Sequence, residues 1–314
     1  MILTEPATPL NNAYQGGAFF YAGEIMTNLS IVKRPTTYIE QVELLRGRGL
    51  IISDYEDAIK ILKQVNYYRL SAYMLSLKKN DQFVAGTTIN NIYNLYEFDR
   101  KLRNLLMGAL EIIEIAFRTH ISYVLAHNYG ALGYINAGNF YNPMYHQKFI
   151  EQLNRDLSRV DELFVGHHNN KYGGQFPIWV AVEVMSFSTL SKLYSNLKND
   201  DKRYIAKEYY GLPHVYISSW LRVLTVVRNI CAHYGRLYGR KFSTAPRLDT
   251  KDGMLGLDDN RIFATVFVMA KLYRDDNAWG GFVTNLQALL EQYSEVDYDL
   301  IGFRDHWDTL LQRK

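Results

Sequence analysis

The stretch "NIYNLYEFDRKLRNLLMGALEIIEIAFRTHISYVLAHN", residues 91–128, constrains the fold of this chain more than any other. It has no proline and a single interior glycine, Gly108, and its apolar residues recur at three- and four-residue spacing, which predicts one long or slightly broken helix. Shorter helical patterns surround it. "RPTTYIEQVELLRGRGL" sets Ile39, Val42, Leu44 and Leu45 on an amphipathic helix that stops at Gly47 and Gly49. The next pattern opens with Ser53 as a cap candidate and Glu56 three residues on. Further helices are expected near 144–165, 177–197 (with Pro177 where a first turn tolerates it), 200–209 and 215–234. Three more follow the polar connector "GRKFSTAPRLDTKDG", near 258–275, 278–293 and 305–313.

"YGALGYINAGNFYNP" reads as loop from its Gly, Asn and Pro content. No segment sustains strand alternation, and "QFVAG" is at most part of a small hairpin. There is no internal repeat that would build a solenoid. The class is therefore all-α.

Composition excludes several functions. With 48% hydrophobic residues the chain of 314 buries a sizeable core. A net charge of +3 is too weak a field to announce a nucleic-acid partner, so any basic surface is local. The single cysteine, Cys231, rules out an intrachain disulfide and multi-cysteine metal sites and suits a reducing compartment, so the expected location is cytoplasmic. No run reaches the roughly 18 apolar residues of a membrane span. Residues 1–32 read as a leader or flexible arm, with Met26 an alternative start.

The run "VVRNICAHYGRLYGR", Val226 to Arg240, carries the chemistry. At about 100° per residue, Asn229 and His233 share a helix face, while Arg228 lies to the side and reaches round on its long stem, so all three are expected to converge on one cavity. This set suits RNA cleavage without metal. A histidine takes the proton of a ribose 2′-hydroxyl or protonates the leaving oxygen, an arginine holds the phosphate and its growing charge, and an amide orients either group. An Arg and a His at loosely this spacing would arise by chance about 1.5 times in such a chain, whereas a gap of four with Asn directly after the Arg is expected only about 0.03 times. The plainer reading makes His233 a cation favourable to the helix C-terminus, with Arg228 solvated.

The motif "RNxxxH" is the signature of HEPN-type ribonucleases, and the chain resembles bacterial abortive-infection proteins of the AbiD/AbiF kind. The resemblance rests on "RPTTYIEQVELLRGRGLIISDYEDAIKILKQVNYYRLSAYM", "LEIIEIAFRTHISYVLAHNYG", "FPIWVAVEVMSFSTLSKLYSNL", "RNICAHYGRLYGR" and the closing "IGFRDHWDTLL". It implies a HEPN-like helical core over 91–240, with helical additions at 33–90 and 241–314. It also implies an RNA-directed toxin in phage defence, held in check by a small structured noncoding RNA, with Arg228, Asn229 and His233 at the catalytic positions. One motif per chain makes a homodimer the way to complete a two-motif site.

Other clusters have plainer alternatives. Glu111, Glu114 and Arg118 share a helical stripe at i, i+3 and i+7: either an intrahelical ion pair at the core edge, or a support that orients Arg228 or His233. "VNYYRLSAYM" brings Asn66, Tyr67, Tyr68, Arg69 and Tyr73 together as an RNA-stacking platform or as packing. Arg46 and Arg48, read as loop arginines around Gly47, and Arg236, Arg240 and Lys241 after the motif are candidate phosphate contacts or ordinary surface charges. His167 and His168 in a Gly/Asn loop, and His120 with His127, lack the further ligands a metal would need, and no metal site is expected. With no Gly-rich phosphate cradle or nucleophile elbow, no cofactor is expected. Beside the nuclease stand two rival functions: an RNA-binding or assembly protein whose motif face only grips RNA, and a protein-interaction module.

Overall fold

The computed structural model describes residues 34–312, so the expectation for an N-terminal arm over 1–32 lies outside the described residues. The described residues form fourteen α-helices and one two-stranded hairpin. In chain order the helices are α1 Tyr38–Gly47, α2 Tyr55–Gln64, α3 Tyr67–Met74, α4 Ile89–Tyr129, α5 Pro143–Arg159, α6 Leu163–Tyr172, α7 Ile178–Val184 and α8 Phe187–Asn196. They continue as α9 Asn199–Tyr210, α10 His214–Ala232, α11 Thr250–Gly253, α12 Ile262–Leu272, α13 Asp276–Gln292 and α14 Trp307–Leu311. The class is all-α, as the periodicity predicts. No helix of the described residues is long and apolar enough to cross a membrane.

α4 runs unbroken for 41 residues, roughly 60 Å at 1.5 Å per residue. The helix continues through Gly108, which faces open space. Thr88 and Asn91 close a reciprocal capping box at its start, and Gly130 ends it at a φ of +82°, which only glycine adopts without strain. Its buried stripe, Ile92, Leu95, Phe98, Leu102, Leu106, Leu110, Ile113 and Phe117, steps by three and four and packs against α3, α7, α10 and α13. One contiguous apolar cluster extends from Val42 to Leu311.

The hairpin pairs β1 Lys78–Lys79 with β2 Gln82–Phe83 antiparallel, Lys78 opposite Phe83. Its two-residue turn needs positive φ at both positions, and Asn80 (49°) and Asp81 (63°) provide it.

Several expectations are corrected. α2 is capped by Asp54, whose side chain accepts from the Asp57 amide, and not by Ser53 with Glu56; a capping box occurs instead at Thr37 and Glu40. The expected helix 144–165 is two helices, and "GHHNN" is helical rather than loop. There His168 donates through Nδ1 to the Phe164 carbonyl (2.8 Å) and stacks on Phe176, a tertiary contact that outweighs weak local propensity. The expected helix 177–197 breaks after Val184. Ser186 caps α8 through the Thr189 amide, and Arg118 donates to the Val182 and Met185 carbonyls at the end of α7.

Candidate functional site

α10 carries the motif. Ile217, Trp220, Leu221, Leu224, Val227 and Cys231 turn inward, and Trp220 is pinned by its indole N–H to the Arg247 carbonyl (2.7 Å). The opposite stripe steps from Arg222 to Val226, Asn229 and His233, spacings of four, three and four. Asn229 and His233 are exposed, and neither side chain has a partner among the described residues. Cys231 beside them is no nucleophile, because burial pushes its thiol up to about 12.

The helix ends in a Schellman turn. The Tyr234 amide donates to the Cys231 carbonyl (3.1 Å) and the Gly235 amide to the Ile230 carbonyl (2.7 Å). The left-handed position of this turn, normally glycine, is occupied by Tyr234 at a φ of 57°, a residue 69% exposed. Such a conformation costs about 1–2 kcal/mol. Distant groups hold it in place: Arg69 donates to the Tyr234 carbonyl (2.8 Å) and Arg236 to the Ala72 carbonyl, so α3 clasps the turn. Asp99 of α4, fully buried, accepts from the Leu237 amide (3.1 Å), the Tyr238 amide (2.8 Å), the Tyr73 hydroxyl (2.7 Å) and Arg103. Burial pushes the Asp99 carboxyl up, while Arg103, the hydroxyl and the two amides pull it down.

Arg228 meets a second network. Glu114, 8% exposed, receives Arg118 at 2.6 Å and lies 3.7 Å from the Arg228 Nε. Glu114 and Arg118 are therefore brought to the motif, whereas Glu111 is exposed and takes no part. These groups line a hollow of about 580 Å³, together with Glu162, Glu183 and Asp156. Asn229 opens instead into a trough of about 880 Å³ between α5, α8 and α10. A Thr189 hydroxyl to Asp156 carboxylate hydrogen bond (3.4 Å) bridges the two, Thr189 lining the trough and Asp156 the hollow. The expected convergence of Arg228, Asn229 and His233 on one cavity is thus not met within one chain: Arg228 and Asn229 serve different hollows, and His233 lines neither.

The structure occupies most of the candidate RNA contacts with protein partners. Arg46 lies in the last turn of α1, paired with Glu43 (3.3 Å), and so is not a loop arginine. Arg48, at the cap, pairs with Asp81 (3.2 Å) and donates to the Tyr67 hydroxyl (3.4 Å). Arg240 donates through Nε to the Arg236 carbonyl (2.7 Å). Tyr68, at 85% exposure, and Lys241 are open to solvent. Among the described residues no group of three or more His, Cys, Asp or Glu side chains is placed to hold a metal ion.

Sequence reading missed Asp99 and Arg103, and also the trough; Tyr73, read there as part of a stacking platform, is buried and donates its hydroxyl to Asp99. The signal for the first was an acid and an arginine at i, i+4 inside the apolar stripe of "EFDRKLR". For the trough it was Arg222 standing seven residues before Asn229.

Fold and geometry together define an all-α protein that presents an Arg–Asn–His helix end, open to solvent and braced from α4 on both sides. The chain belongs to the Abi-like protein family, whose model matches residues 60–239, from within α2 to the turn that Asp99 holds. This is an abortive-infection family, and membership suggests a part in phage defence. Comparison with curated proteins and with solved structures returned no match.

Proposed function

We propose that this protein is a HEPN-type endoribonuclease of the AbiD/AbiF kind, a phage-defence toxin of the cytoplasm kept in check by a small structured noncoding RNA. The observation that carries the reading is the strict "RNxxxH" spacing on an exposed helix end, with His233 and Asn229 unpartnered and Arg228 steadied by Glu114. His233 removes the proton from a ribose 2′-hydroxyl; the 2′-oxygen attacks phosphorus, the bond to the 5′-oxygen breaks, and an imidazolium protonates that leaving oxygen. The products are a 2′,3′-cyclic phosphate and a 5′-hydroxyl. Arg228 bears the charge that grows on the phosphoryl oxygens, and Asn229 orients the phosphate or the ribose.

Splitting of the motif between two hollows within one chain supports a homodimer whose motif helices meet across a two-fold axis and divide the labour, one copy supplying the working imidazole and the other the arginine. Mixing Arg228→Ala and His233→Ala chains is expected to restore part of the activity, and a monomeric active species by light scattering refutes the shared site. Cleavage by wild type is expected to persist in EDTA and to leave cyclic phosphate ends. The deciding measurement is expression toxicity and RNA cleavage of wild type against His233→Ala. A folded His233→Ala protein that still cleaves ends the nuclease reading, and one that binds RNA while wild type never cleaves favours the RNA-binding alternative.

A further inference from the structure

The trough between α5, α8 and α10 is strongly basic. Five of its eighteen lining residues are Lys or Arg against a single acid, Glu151, in a chain whose net charge is only +3. Glu151 is already engaged by the Gln147 amide (3.1 Å). The side chains of Lys148, Lys192 and Arg222 make no ion pair or hydrogen bond with any described residue. Lys202 is 8% exposed and has no acid partner, donating only to the Ser195 carbonyl (3.2 Å) and lying 5.6 Å from the Tyr141 ring. A buried cation without a counter-charge is costly, and an anion entering the trough removes that cost. Burial holds the Lys202 ammonium below its usual range, in keeping with a group still short of a counter-ion.

Two more features narrow the anion's chemistry. Tyr141 and Tyr145, 70% and 59% exposed, present aromatic faces at one wall. The floor carries hydroxyls of α8 at positions 188, 191 and 195, one helical stripe. An acidic peptide would satisfy the cations and leave the rings and hydroxyls unused. A polynucleotide satisfies all three, with phosphates to the cations, unpaired bases to the rings and ribose hydroxyls to the floor.

We propose that this trough is a binding site for an unpaired RNA strand, whose phosphates face Lys192, Lys202 and Arg222 and whose bases stack against Tyr141 and Tyr145, leading the strand to Asn229. It rests on the nuclease reading only for what happens at Asn229. Base stacking and phosphate contacts hold without any cleavage.

The test uses the full-length chain carrying His233→Ala and a fluorescent ten-nucleotide uridine strand, read by anisotropy across a salt series, with thermal melts of every variant. Lys192→Glu with Arg222→Glu is expected to weaken binding at least tenfold and flatten the salt dependence, because both side chains are exposed and the melts stay unchanged. Tyr141→Ala with Tyr145→Ala is expected to weaken it about tenfold and to abolish preference for the strand over an abasic one of equal length. Equal affinity of all variants for the strand overturns the site, as does tighter binding of an RNA duplex, or displacement of the strand by polyglutamate at equal charge concentration. Wild type that never cleaves, with these binding losses intact, refutes the nuclease and leaves the trough standing. Cleavage that survives with unchanged binding in the trough variants refutes the trough alone.

Discussion

Two acid–arginine pairs sit on α4 fifteen residues apart, both at i, i+4 spacing, and they do opposite work. Asp99 and Arg103 are 0% and 3% exposed, and every oxygen of the carboxylate is taken by the pair, the Tyr73 hydroxyl or the backbone after the motif. Glu114 and Arg118 lie at the rim, where the arginine closes the end of α7 and the glutamate keeps one oxygen for Arg228. Local sequence is the same in kind. The difference lies in what the rest of the fold brings against each pair: backbone amides in one case, which makes a structural anchor, and a second arginine in the other, which makes a positioning device.

Breaking the anchor is the largest test. Asp99→Ala leaves Arg103 buried without its counter-charge and frees the turn after His233, and is expected to cost about 3–5 kcal/mol in urea unfolding. Cleavage is expected to fail with it. A loss below 1 kcal/mol would mean that the turn holds itself.

At the rim, Glu114→Ala is expected to cost about 1–3 kcal/mol, since one guanidinium keeps its carbonyl partners. Its activity is expected to fall roughly a hundredfold, beyond what unfolding explains, because Arg228 loses its orientation. Glu114→Gln, which keeps an acceptor, is expected to recover part of it. Activity tracking folded fraction alone would reduce Glu114 to a purely structural group.

A third polar group on α4, His120, sharpens the contrast because it has no acid at all. It stacks on Tyr209 at 3.7 Å and shares a hydrogen bond with the Tyr210 hydroxyl (3.1 Å), and burial, with a smaller push from Arg274, lowers its pKa from 6.5 to about 4. The folded protein then binds fewer protons than the unfolded chain between those values. Stability is full above pH 6.5 and is lost as pH falls toward 4, by about 1–2 kcal/mol once screening of a half-buried ring is allowed for. His120→Gln is expected to flatten that part of a stability-against-pH curve.

The smallest effect has the opposite sign. Tyr234→Gly removes the left-handed strain that Arg69 and the Asp99 network offset, and is expected to raise stability by about 1 kcal/mol in the same unfolding assay. A loss instead would show that the exposed ring packs for stability.

The helices were legible where the cause is local. The unbroken α4 follows from its apolar period and the absence of proline, and α9, α10 and α13 fall within a few residues of their expected bounds. Breaks within 144–165 and 177–197 were not legible, because they depend on partners far along the chain. Arg118 reaches the Met185 carbonyl across 67 positions, and a helix end becomes stable only when something receives its free carbonyls. In the candidate site, Arg228, Asn229 and His233 stood out by spacing, and Glu114 and Arg118 by their stripe, yet which hollow each faces did not.

By itself the sequence determined the all-α class, the long central helix and the motif on an exposed helix end, since helix hydrogen bonds close over four residues and apolar spacing decides which face turns inward. Tertiary structure alone decided which charges are spent and which stay free. Compensation of a charge depends on groups within a few ångströms, and here those are distant in the chain: Leu237 for Asp99, 138 positions on, Arg228 for Glu114, and for Lys202 no carboxylate at all.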